Sequence, residues 1–347
     1  MSPTPRSRTP GQRGDPARSD QIRSIASKRR SDSHPSRLRE GPRDHLESLV
    51  RRNRGSAPPL RVAVVYPVES VALLGAVDVQ REGVLSPVLV GPTQRMREVA
   101  TRNGLEIEDM DLIEAADETT AARAGVDAVR DGRADLLMKG SLHTSTFMRA
   151  ALAERGGLRR ERRASHVFVF DVPGFDRPLF VTDAVVNVSP GLAEKADICQ
   201  NGIDLARALG VSRPKVAILS ALERVDPAVP STLDAAALSK MADRDEITGA
   251  IVDGPLALDD AISPASLAIK HITSSLQGRA DLLVVPNLES GNILYKSFIY
   301  MAGAEAAGIV VGLQVPLILT SRADSVRTRL ASAALASLWA KTVANRF

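Results

Sequence analysis

The chain has 347 residues, 44% hydrophobic and 25% charged, with one cysteine and a formal net charge of +4. It contains no run of 18 or more apolar residues, so no transmembrane helix is expected. The lone Cys199 excludes an intramolecular disulfide and a multi-cysteine metal site.

The charge is uneven. Residues 1–57 hold 14 Lys and Arg against 6 Asp and Glu, a balance of +8, which leaves −4 for the rest. This first stretch is rich in Arg, Ser, Pro and Gly and poor in apolar residues, so it reads as a disordered basic extension without a core. It could touch nucleic acid or acidic surfaces non-specifically. It lacks the apolar segment of a secretory signal, and a cytoplasmic location is expected.

From Leu60 onward short apolar strands alternate with amphipathic helices. Strands are expected at 61–67, 86–91, 135–139, 165–171, 178–185, 215–221, 249–253, 281–286, 307–312 and 315–320. Helical patterns cover 68–82, 118–131, 191–209, 231–242, 261–276 and 291–305. Nearly continuous Val, Ile and Leu in the strands fits burial on both faces and mostly parallel α/β units. The exception is 165–185, where Pro173-Gly174 joins two strands closely enough for an antiparallel pair. The pattern implies a doubly wound α/β protein with a cleft between two halves.

Polar or small residues close strand after strand: Lys139-Gly140-Ser141, Ser220, Asp253-Gly254-Pro255, Pro286-Asn287 and Ser321-Arg322. In open α/β sheets the carboxyl edge binds ligands, and five such ends favour one functional edge. Within Met138–Ser145 the glycine admits close backbone approach, Lys139, Ser141 and Thr144 can hold phosphate, and His143 can carry a proton. Arg159, Arg160, Arg162 and Arg163 stand in five consecutive positions before a strand and could reach a second, bulky phosphate. No aromatics interleave with them, which argues against a nucleic-acid stacking platform. Ser321-Arg322 follows the last strand and precedes a helix, a place for a guanidinium fork and free N–H groups to meet an oxyanion. No dinucleotide fingerprint, P-loop, nucleophile elbow or zinc-protease motif occurs, and the five histidines lack metal-cage spacing.

Several segments together resemble the phosphate acetyl/butyryl transferase family. They are Leu136–Thr144, Ser165–Val169, Pro178–Ala184 with Asn187, Ser220–Glu223, Pro230–Thr232, Asp253–Leu256, Val285–Asn292 and Leu319–Ser325. The similarity spans roughly residues 60–340 in order. It is closest to the acyltransferase module of bifunctional enoyl-CoA hydratase/phosphate acetyltransferases. The resemblance implies an isocitrate/isopropylmalate dehydrogenase-like fold of two α/β domains, divided as 58–152 with 305–347 and 153–304. It further implies a homodimer, the reaction acyl-CoA + phosphate ⇌ acyl phosphate + CoA, and no metal or resident cofactor, coenzyme A and phosphate being substrates.

On that resemblance Arg322 would neutralise phosphate and Ser321 would hydrogen-bond the carbonyl oxygen or the leaving sulfur. Lys139, Ser141, His143, Thr144 and Asn287 would line the substrates, and Arg159, Arg162 and Arg163 would meet CoA phosphates. Similar acetyltransferases place an aspartate further along the last helix. Here that stretch reads Val326-Arg327-Thr328-Arg329, so Asp324 is the nearest carboxylate for a base. Phosphate butyryltransferase activity is an alternative within the family. A non-catalytic acyl-CoA-binding or regulatory protein is the alternative outside it.

Overall fold

A computed structural model of the chain describes residues 45–54, 58–319 and 324–344. Its first half contributes β1 (Arg61–Val65), β2 (Ser86–Gly91), β3 (Asp111–Glu114), β4 (Leu136–Lys139) and β5 (Ser165–Asp171). The second contributes β6 (Leu179–Thr182), β7 (Lys215–Leu219), β8 (Ile251–Leu256), β9 (Leu282–Val284), β10 (Glu305–Val311) and β11 (Leu317–Ile318). The helices are α1 (His45–Arg54), α2 (Ser70–Arg81), α3 (Thr93–Asn103), α4 (Glu118–Arg130), α5 (Thr144–Ala151) and α6 (Leu192–Ala208). They continue with α7 (Pro230–Asp243), α8 (Leu258–Ile262), α9 (Pro264–Lys270), α10 (Leu288–Tyr300) and α11 (Val326–Ala344). No described helix is long and apolar enough to cross a membrane.

All eleven strands join one mixed, mostly parallel sheet in the order β3-β2-β1-β4-β11-β10-β5-β6-β9-β7-β8. The expected antiparallel pair at Pro173-Gly174 is present, β5 running against β6 with Val169 opposite Phe180. Gly174 turns the chain there at φ 86°. β10 also runs against both of its neighbours, β11 and β5. These three antiparallel pairings reverse the sheet: β4 and β11 point one way, while β7, β8 and β9 point the other. The five polar strand ends therefore do not share one edge. Direction depends on how β10 is threaded through the middle, which local patterning does not encode.

Residues 45–54, inside the stretch expected to lack a core, form α1, with Leu46 and Leu49 buried. Only these two leucines and Asn53 are buried in the helix, too few to stand out against its arginines in the sequence. The Leu46 N–H donates to Asp171 at 3.0 Å, a carboxylate against a helix N-terminus. The expected helix over 261–276 is instead α8 and α9. Proline has no N–H to continue a helix, so Pro264 opens a new one, and His271 closes it at φ 55°.

The two faces of the sheet are covered differently. On one, a single buried cluster links α1, α2, α3, α6, α7 and α11 through Leu46, Leu73, Met96, Ile198, Leu238 and Leu335. On the other face there are two clusters. Val126, Leu137, Phe147, Val310 and Leu317 belong to the first. Phe170, Val181, Leu283 and Ala306 belong to the second. They part over β5 and β10, where residues paired across the strands share a face: Val310 with His166, Gly308 with Phe168, Ala306 with Phe170.

Candidate active site

The end of β4 is built by close backbone approach. Gly140 N–H donates to Val65 O and Ser141 N–H to Tyr66 O, each at 2.9 Å. A Cβ on Gly140 would run into the Val65 carbonyl, so the position admits only glycine. Lys139 folds its ammonium over this turn, donating to Gly140 O at 3.1 Å and Leu142 O at 3.3 Å. Ser141 Oγ accepts the Glu69 N–H at 3.0 Å, just ahead of α2. His143 is the N-cap of α5; its backbone N–H donates to Glu118 at 3.1 Å, and its Nδ1 lies 2.9 Å from the same carboxylate oxygen. Burial works to raise the Glu118 carboxyl, but the bonds from His143 hold it below its usual range. Thr144 opens α5 and is exposed. Lys139, Ser141, His143 and Thr144 thus form one continuous polar strand end, as their spacing suggested.

Ser321 and Arg322 lie outside the described residues. Asp324, which follows them, accepts a bond from Arg329 Nη1 on its backbone carbonyl at 2.7 Å. Burial raises the Tyr295 hydroxyl, and the negative charge of Asp324 raises it further. Tyr295 stacks on Phe168 at 4.3 Å between centroids, so α10 reaches from β5 to the start of α11. Asn287 caps the other end of α10, accepting from the Ser290 N–H at 2.9 Å and the Ser290 hydroxyl at 2.8 Å.

The arginine run stands at the amino end of β5, against the β10–β11 turn. Arg159 bridges to Leu313 there and has Glu154 at 4.0 Å. Arg162 pairs with Asp204 at 2.7 Å. Arg163 pairs with Glu194 at 2.6 Å and donates to Asn187 at 2.5 Å, which in turn donates to Asp183 at 2.6 Å. Asp183 also accepts the N–H groups of Val185, Val186 and Asn187. Burial raises its carboxyl, against the pull of those donors. These guanidinium groups meet carboxylates of their own chain, and their strand end is opposite to that of Lys139.

A second basic group escaped the sequence reading. Arg123 and Arg130 of α4, Arg149 of α5 and Arg155 beyond it line one pocket of about 490 Å³, with Asp127 and the hydroxyls of Thr119 and Thr146. Arg123 and Arg130 are two helical turns apart and so share a face, a signal that was available. Their meeting with Arg149 and Arg155 depends on the packing of α4 against α5.

The carboxylates of Glu223, Asp259 and Asp260 also converge, within 4.8 Å of one another. The Lys270 ammonium is seated among them at 2.7, 2.8 and 2.8 Å. An internal cation already balances this acidic group.

Four arginines, one of them paired with Asp127 at 3.7 Å, line a pocket whose chemistry suits a polyanion. The family described as phosphate acetyl/butaryl transferase matches residues 117–337. The chain belongs to this family of acyltransferases. A phosphate acetyltransferase of Rhizobium meliloti is 47% identical over 294 residues, 85% of this chain and 93% of that protein. A phosphate butyryltransferase of Clostridium acetobutylicum is 42% identical, over 80% and 92%. The crystal structure of a branched-chain phosphotransacylase from Enterococcus faecalis V583 superposes with a TM-score of 0.71 at 29% identity, covering 81% and 99% of the two chains. A phosphotransacetylase from Streptococcus pyogenes shares the fold at 0.73, with 23% identity over 87% and 99%.

Proposed function

We propose that the protein is a phosphate acetyltransferase catalysing acetyl-CoA + phosphate ⇌ acetyl phosphate + CoA. The observation that carries this is the 47% identity to the Rhizobium meliloti enzyme across 85% of the chain. A phosphate oxygen attacks the thioester carbonyl carbon, a C–O bond forms, and the C–S bond breaks as the tetrahedral intermediate collapses. The thiolate leaves and takes up a proton. Both substrates are held in one ternary complex, so alignment and oxyanion stabilisation carry most of the rate. Arg322 neutralises the phosphate and Ser321 hydrogen-bonds the carbonyl oxygen or sulfur. Asp324 exchanges the thiol proton. Lys139, Ser141, His143 and Thr144 line the phosphate and acyl side; Asn287, at the opposite sheet edge, caps α10.

The arginine-lined pocket between α4 and α5 supports a place for the phosphates of CoA. The family resemblance gives a dehydrogenase-like division into 58–152 with 305–347 and 153–304, the cleft lying between them; the two apolar clusters part within β10, with Val310 in one and Ala306 in the other. On this reading the protein works in the cytoplasm as a homodimer and needs neither metal nor resident cofactor. The Clostridium acetobutylicum relative favours a second reading, transfer of butyryl or another longer acyl group. The test is thiol release from acetyl-, propionyl- and butyryl-CoA with and without phosphate. Phosphate-dependent release ranks the acyl groups. Release that ignores phosphate, or no release at all, rejects both readings and favours a binding or regulatory protein.

A further inference from the structure

On the split face of the sheet, His166 carries a buried polar atom that its surroundings leave unexplained. It lies in β5, only 2% exposed, and its ring Nδ1 has no hydrogen-bond partner. A buried imidazole nitrogen without a partner is a standing cost that a phenyl or leucine side chain would not carry. Nor does the fold merely tolerate it. On the adjacent strand, a Cβ at Gly308 would collide with the His166 Cε1 and sit 3.0 Å from Nε2, so the glycine makes the space the ring occupies. Phe168 flanks the ring at 4.2 Å between centroids, with Tyr295 stacked beyond it at 4.3 Å.

The position matters as much as the environment. His166 pairs with Val310, which pairs on its other side with Leu317, itself opposite Leu137, two residues before Lys139. It stands where the two apolar clusters part, between Val310 of one and Phe170 of the other. Burial lowers its pKa to about 3, so the ring is uncharged at neutral pH. A neutral N–H serves poorly for a phosphate dianion, which a lysine or arginine side chain meets better. It suits an oxygen that is neutral in the thioester and becomes anionic only in the tetrahedral intermediate, because such a donor gains strength as the charge develops.

We propose that the imidazole N–H of His166 donates a hydrogen bond to the thioester carbonyl oxygen, with the Phe168 ring beside it as the apolar wall for the acyl chain. This rests on the phosphate acyltransferase reading. His166 remains neutral throughout; no proton is transferred at this residue.

The test compares His166→Phe with His166→Gln in phosphate-dependent thiol release from acetyl-CoA, with thermal unfolding measured in parallel. His166→Phe is expected to lower kcat by ~10²–10³-fold, the loss usual for one oxyanion donor. The KM values for acetyl-CoA and phosphate should stay within a few-fold, and the melting temperature should not fall. His166→Gln, which keeps an N–H donor, should recover to within ~10-fold of the parent. A fully active His166→Phe overturns the proposal. So does a folded His166→Gln as inactive as the Phe variant. If His166→Phe does not fold, the parent chain decides through the 15N resonances of the ring with acetyl-CoA alone: a shift of one nitrogen is expected, and unchanged resonances overturn the assignment. An inactive but folded parent would reject the acyltransferase reading instead, a result the variants cannot mimic.

Discussion

The imidazole of His143 stands 2.9 Å from the carboxylate of Glu118, tying the start of α5 to the start of α4. The same carboxylate takes the His143 backbone N–H, so it holds both the ring and the cap of α5. Lys139, whose charge also favours the ionised Glu118, stands just upstream on the same strand end.

Replacing Glu118 by Gln should therefore loosen this corner more than it destabilises the whole. The His143 side chain is 80% exposed, and solvent screening limits the loss to about 1 kcal/mol or less. Glu118 is held below its usual 4.5, so its contribution is full above the unfolded value and fades as pH falls through the folded one. Urea unfolding of parent and variant should thus differ at pH 7 and converge as the pH falls below the ordinary carboxylate range. A gap that widened on acidification would contradict the arrangement.

Gly308→Ala should cost about 1–3 kcal/mol, the range for an overpacked core, because the new methyl meets the rings of His166 and Phe168. Differential scanning calorimetry would read this as a fall in melting temperature. An unchanged transition would mean that the ring of His166 has room to move aside.

Arg322→Ala should lower phosphate-dependent thiol release by ~10²-fold or more while far-UV circular dichroism and melting temperature stay as in the parent. Near-normal turnover would remove Arg322 from the site.

The double variant Arg123→Ala/Arg149→Ala should raise KM for acetyl-CoA by ~10–100-fold, since each arginine–phosphate contact is worth about 1.5–3 kcal/mol before screening. KM for phosphate should hardly change, and the salt dependence of the acetyl-CoA KM should flatten. Arg162→Ala, which breaks a pair with Asp204, serves as the contrast and should leave KM for acetyl-CoA near the parent value. The opposite ranking would return the CoA phosphates to the arginine run.

Much of this architecture was legible in the order of residues. Strands such as Lys215–Leu219 and Leu282–Val284 are buried along nearly their whole length, so an unbroken apolar run was a sufficient signal. β3 escaped because Asp111–Glu114 is exposed at both ends and half-buried between, with little apolar run to see. The polar turn from Lys139 to Thr144 was readable because its members are consecutive. The pocket arginines were not, being drawn from two helices and the loop after them. The run at 159–163 drew attention by density alone, yet Asp204 and Glu194, more than thirty residues later, meet two of its charges. Density of charge reports nothing about counter-charges contributed by distant elements.

The helix His45–Arg54 redraws where the folded unit begins. It lies beside α11, with Arg327 3.9 Å from Glu47, and that same Arg327 reaches Glu305 on β10 at 2.9 Å. The unbroken apolar pattern begins at Leu60, and from patterning alone a truncation there would look safe. It would instead uncover the seat of Leu46 and Leu49 on the last helix and take from Asp171 the N–H it accepts. A cut ahead of the first strand would thus remove a helix that braces the start of α11.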